Sequence, residues 1–179
     1  MQYFIGIVPP DEYKSKIISF QQQWKNNTIS QVVEPHITLK AQGGLTEDLH
    51  WVEKIESVCK ETQPFSIMIN KPKFFGKEIL YLSCTSLKLT NFHNKIVNAI
   101  NPSENLIQKY FERDKFVAHM TLGKVYYGLS EEELLHMAKL AEGELTPYPN
   151  FQVNFIRIYQ DNQANLYTKY KDIPLTGGL

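Results

Sequence analysis

The chain has 179 residues, of which 42% are hydrophobic and 21% charged, with 19 basic and 19 acidic side chains. That composition can fill one folded domain and excludes a long disordered chain. A net charge of zero weighs against a long basic track for duplex nucleic acid, but a local phosphate site needs only a few donors.

Cys59 and Cys84 have no metal spacing and are too few for a disulfide scaffold, so both read as small buried hydrophobes. No stretch approaches a membrane span, and the apolar start "MQYFIGIVPP" lacks a basic lead-in. A cytoplasmic protein is expected.

In chain order, residues 3–9 read as a strand. Residues 11–24 read as a helix with acids in its first turn. "NNTIS" is a turn, and "QVVEPHITLK" (31–40) is strand-like, with Pro35 at a strand start or bulge. Residues 43–60 suit a helix that Thr46 could cap. Residues 65–75 and 78–86 make a hairpin through Gly76 and Lys77. A helix at 88–100 follows, then a connection at 101–114, then a strand at 115–125. Ser130 and Glu133 form a capping box at the start of a helix over 129–143. Residues 151–160 and 165–173 form a last strand pair, turned by "DNQA".

Two phrases stand out, "HITL" at His36 and "HMTL" at His119, in a chain with five histidines. With 10 Thr and 17 Leu available, such a coincidence is expected roughly 3 times in 10,000. The surroundings repeat too: "HITLK…GGLTEDL…PFSIMIN" and "HMTLG…YGLSEEEL…PNFQVNF" both run strand, helix, strand. That is the mark of an internal duplication. It predicts one domain over residues 1–179, with β-α-β units in two pseudo-symmetric lobes that bring the phrases to one site.

On a strand, alternate residues share a face, so His36 points with Thr38 and His119 with Thr121. Ile37, Leu39, Met120 and Leu122 face the core. Two imidazoles can take and give protons near neutrality, and two hydroxyls can hold non-bridging phosphate oxygens. In-line displacement at phosphorus needs proton-transfer groups on both sides, and a pair of histidines supplies them without a metal.

The paired phrases in duplicated halves resemble the two-histidine (2H) phosphoesterase superfamily, which includes 2′,5′ RNA ligase-like proteins and cyclic phosphodiesterases. The resemblance implies an α+β fold, with two antiparallel sheets around a central cleft and helices outside. By position it implies His36 and His119 as catalytic residues, and Thr38 and Thr121 as phosphate-binding ones. The implied chemistry needs no metal or cofactor. The implied partner is a nucleotide or RNA end with a 2′,3′-cyclic or 2′,5′-linked phosphate. Apart from the resemblance, a monomer with no membrane partner is expected. Hydrolysis of the cyclic phosphate is the leading expectation. The alternatives are 2′,5′-phosphodiester ligation or cleavage in RNA, and a non-catalytic module that binds RNA ends or nucleotides.

Other residues are expected to be ordinary. His50, His93 and His136 read as surface or cap residues on helices. Lys40 shares the His36 face and reads as a phosphate neutraliser or a solvated lysine. Glu34 could orient the His36 ring or be a surface carboxylate. Lys124 falls on the opposite parity from His119 unless a bulge at Gly123 turns it, and is not assigned to the site.

Overall fold

Alternation between apolar and polar residues shapes most of the strands. In β3 (Phe65–Phe75), Phe65, Ile67 and Ile69 are buried while Ser66 and Met68 face outward. β1 (Tyr3–Ile7) is buried throughout, as suits an inner strand. The computed structural model describes residues 1–163 and 166–178. Its remaining strands are β2 (Ile37–Lys40), β4 (Ile79–Thr85), β5 (His119–Lys124), β6 (Asn150–Val153), β7 (Phe155–Gln163) and β8 (Leu166–Pro174).

All eight described strands join one curled, antiparallel sheet in the order β6-β3-β4-β5-β2-β1-β7-β8. The expected two sheets are therefore one. The reason is the pairing of Ile37 with Met120, which joins β2 to β5 at the middle of the order. The α+β class stands. The helices are α1 (Asp11–Gln21), α2 (Ile29–Val32), α3 (His50–Lys60), α4 (Leu89–Ile100), α5 (Glu104–Lys109) and α6 (Glu131–Glu144). Their apolar faces, among them Ile17, Phe20, Ile55, Phe92, Ile96, Leu134 and Met137, share a single core with Ile37, Leu39, Met120 and Leu122. Among the described residues, no helix is long and apolar enough to cross a membrane.

Several local expectations change. The strand expected over 31–40 begins only at Ile37, and residues 29–32 turn helical before it. The chain is already extended at Val33, but Pro35 has no amide hydrogen to offer a ladder, so strand pairing begins only beyond it, at Ile37. The helix expected from 43 starts at His50. Thr46 does not cap it: its hydroxyl donates to Asp48 Oδ1 (2.7 Å), which also accepts the His50 amide (3.2 Å). The capping box of Ser130 and Glu133 forms as read. The strand expected over 151–160 is split at Asn154, so that β6 pairs with β3 and β7 with β1. Of the "DNQA" turn, residues 161–163 continue β7, while Ala164 and Asn165 lie outside the described residues.

Candidate active site

β2 and β5 are the two central neighbours of the sheet. Extending the register from Ile37 opposite Met120 sets His36 across from Thr121 and Thr38 across from His119. The four polar side chains alternate round a square, with the two imidazoles on its diagonal. Diagonal neighbours on paired strands lie roughly 7–8 Å apart, enough for a tetrahedral phosphate between them. Behind this face, Ile37, Leu39, Met120 and Leu122 are fully buried. One cavity of 240 Å³ is lined by His36, Thr38, His119 and Thr121 together, with Lys124, Tyr127 and Tyr167 among its other walls. The structure thus brings all four sequence-predicted residues to one place.

Both rings are held alike. His36 Nδ1 lies 2.8 Å from the Glu34 carbonyl oxygen, and His119 Nδ1 lies 2.7 Å from that of Val117. An acceptor at Nδ1 keeps the neutral ring's proton there, so Nε2 carries the lone pair. Each ring also leans on two aromatics. His36 meets Phe4 and Tyr159 at centroid distances of 4.8 and 5.5 Å. His119 meets Phe75 and Tyr81 at 4.9 and 5.2 Å. Gly6 makes room on the His36 side, since a Cβ there would sit 3.1 Å from the Tyr159 ring and 3.4 Å from the His36 ring.

This packing sets the proton affinities. Burial lowers the His36 pKa to about 4, helped by the positive charge of His119 and Lys124. Burial also lowers that of His119, with Lys124 assisting. Lys124 is itself depressed by burial. The site therefore favours neutral imidazoles and gains from an incoming anion.

Lys124 reaches the cavity through a β-bulge. Leu80 pairs with Gly123 while Tyr81 pairs with Thr121, so Leu122 is an extra residue on β5. Leu122 and Gly123 both turn inward, and Lys124 comes round to the histidine face. Gly123 is needed there: a Cβ would sit 2.5 Å from Leu129 Cδ1 and 3.1 Å from both Leu134 and Met137. A glycine inside a strand was the signal for this bulge.

Three other expectations are corrected. Lys40 is fully buried, neither solvated nor free for phosphate. Its ammonium donates to the carbonyls of Ala41 and Gly43 and sits 2.8 Å from Glu112 Oε1 as a charge pair. His93 is also buried: its Nδ1 lies 2.7 Å from the Leu39 carbonyl, and its Nε2 accepts the Arg113 amide at 2.9 Å. Glu34 orients His36 with its carbonyl, not its carboxylate. The carboxylate takes Arg157 (2.6 Å), Tyr159 (2.9 Å) and Lys14 (3.0 Å). Burial pushes that carboxyl up, but these donors outweigh it and hold it below its ordinary value. His50 and His136 are exposed, as expected.

The sequence matches the 2'-5' RNA ligase superfamily over residues 9–164. It is 24% identical over 164 residues to an RNA 2',3'-cyclic phosphodiesterase of Methanocaldococcus jannaschii, spanning 89% of this chain and 91% of that one. The fold is similar to a protein of Thermus thermophilus, with a TM-score of 0.69, 12% identity and full coverage of both chains. It is also similar to E. coli LigT solved with 3'-AMP, with a TM-score of 0.64, 14% identity and 98% coverage of each chain. The match across most of the chain places this protein in the 2'-5' RNA ligase superfamily of two-histidine phosphoesterases.

Proposed function

We propose that this protein opens 2′,3′-cyclic phosphates on nucleotides or RNA ends, without a metal, by paired acid–base catalysis at His36 and His119. The observation that carries this reading is the single cavity lined by both histidines and both threonines. It is supported by the name of the archaeal relative and by the 3'-AMP, ATP and NADP+ found on E. coli LigT. The working unit is one domain in which each histidine strand brings half of the site.

The cyclic phosphate sits between the imidazoles. Thr38, Thr121 and Lys124 hold its non-bridging oxygens, where charge concentrates in the transition state. His36, the more enclosed ring and the one beside both other cations, stays neutral and serves as base. Its Nε2 takes a proton from water as the water oxygen bonds to phosphorus. On the opposite side the P–O bond to the ribose breaks, and protonated His119 gives its Nε2 proton to the leaving oxygen. One water is consumed and one phosphomonoester forms. Exchange with solvent then resets the two rings.

The test is turnover of the four nucleoside 2′,3′-cyclic phosphates in EDTA, beside a His36→Ala, His119→Ala double variant. Each proton transfer is typically worth about a hundredfold to ten-thousandfold, so the variant should lose turnover almost entirely. Full activity in the variant would overturn the assignment.

A further inference from the structure

A second cavity, of 420 Å³, opens beside the first and shares Thr38, Ala41 and His119 with it. The two differ in kind. The first is small and holds the imidazoles and Lys124. The second is walled by Phe75, Tyr110, Phe111, Phe116 and Val117. Small-molecule sites typically span about 300–1,000 Å³. At 240 Å³ the first cavity suits a phosphate but not a whole nucleotide, whereas the second is within that range.

Phe111 stands at this second cavity with 66% of its surface exposed. Its φ of 54° is left-handed, a conformation bulky side chains rarely adopt, and Arg113 repeats it at 56°. Strain of this sort persists only where the surroundings impose it, and it gathers at ligand clamps. Here the surroundings are specific. Between the two strained residues, Glu112 turns inward to the buried Lys40 ammonium. The Arg113 amide is pinned to His93. His93 in turn stacks on Phe116, with centroids 3.9 Å apart. Holding Glu112 in leaves Phe111 held out.

We infer that Phe111 is a stacking platform for the nucleobase of the substrate, presented over the apolar cavity by the buried anchor of Lys40, Glu112 and His93. The inference rests on the proposed reading of the histidine site, and it adds the base subsite that this reading lacks. A base in the second cavity brings its ribose in past His119, the wall common to both cavities. The leaving ribose oxygen is then nearest His119, and water has the His36 side.

The experiment compares adenosine 2′,3′-cyclic phosphate with the base-free methyl riboside 2′,3′-cyclic phosphate. The proteins are the wild type, Phe111→Asn and Phe111→Trp. Asparagine tolerates the left-handed backbone, so the fold is kept while the ring is lost. The wild type should prefer the nucleoside. Phe111→Asn should lose about ten- to hundredfold of that preference through KM, as expected for one base–aromatic stack, and Phe111→Trp should keep it. The melting temperature of Phe111→Asn should not fall, because the exposed ring adds strain rather than packing. A preference unaltered by Phe111→Asn, or absent from the wild type, overturns the inference. If the wild type turns over neither substrate, the hydrolase reading fails by itself. Calorimetry with adenosine 2′-monophosphate and inorganic phosphate then decides on the platform. Weaker nucleotide binding in Phe111→Asn, with phosphate unaffected, upholds it, and equal nucleotide binding in both proteins overturns it.

Discussion

At the scale of single residues, the two imidazoles share a geometry but not an environment. Both donate from Nδ1 to a carbonyl two residues earlier. The Glu34 segment is further tied by Arg157, Lys14 and Tyr159, whereas Val117 is exposed. With His36 lowered to about 4 and His119 lowered too, kcat/KM should peak on the acid side of neutrality, with its lower limb near the His36 value. The kcat profile should lie at higher pH, since a bound phosphate anion favours protonated imidazole. A free-protein profile centred above neutrality would contradict the burial argument. The roles are separable as well. An aryl phosphodiester, whose leaving oxygen needs no proton, should restore His119→Ala far more than His36→Ala. Equal rescue would reverse or erase the assignment. Lys124→Ala should lower kcat/KM roughly ten- to hundredfold, the worth of one charge-assisted hydrogen bond. An unchanged value would remove Lys124 from the phosphate site.

At the scale of elements, β5 shows how one bulge edits a site. A regular strand would have sent Lys124 inward. Leu122 and Gly123 instead take two successive inward places, and the lysine emerges on the histidine face, beyond Thr121. Gly123→Ala should cost about 1–3 kcal/mol by overpacking against Leu129, Leu134 and Met137. It should also lower activity by shifting Lys124. Urea denaturation and steady-state kinetics on the same sample check both effects. A stable, fully active variant would mean that the bulge tolerates a side chain. Periodicity in the sequence marked most of these elements, because each strand or helix must alternate its faces at its own period. It failed at residues 29–32, where the Val33 amide closes a helical turn on the Ile29 carbonyl, and at 46–49, where Asp48 takes the local hydrogen bonds.

At the scale of the whole molecule, burial couples the site to the fold. Lys40 and Glu112 come from distant parts of the chain and meet with almost no solvent. Glu112→Gln should cost about 3–5 kcal/mol, because it leaves the lysine charge buried and unpaired. A Lys40→Met, Glu112→Leu double variant should recover most of that, and a comparable loss in the double variant would contradict the pairing. Acid should act globally as well. His36, His93 and His119 all bind protons less readily folded than unfolded. Stability is therefore complete above the ordinary histidine value of about 6.5 and drains as pH falls toward about 4. A melting temperature that stays level across that window would show that these rings are not depressed.

By itself, the sequence determined that His36, Thr38, His119 and Thr121 share strand faces, because alternation is a local property of extended chain. It also determined the capping box and the hairpin, whose partners lie a few residues apart. Only the tertiary structure decided that β2 and β5 are neighbours in one sheet, that Lys124 joins the site, and that Lys40 and His93 are buried. It alone decided that Phe111 is held out over a second cavity. Those outcomes depend on which distant segments cover one another, and no local pattern encodes the depth at which a charge or a ring comes to rest.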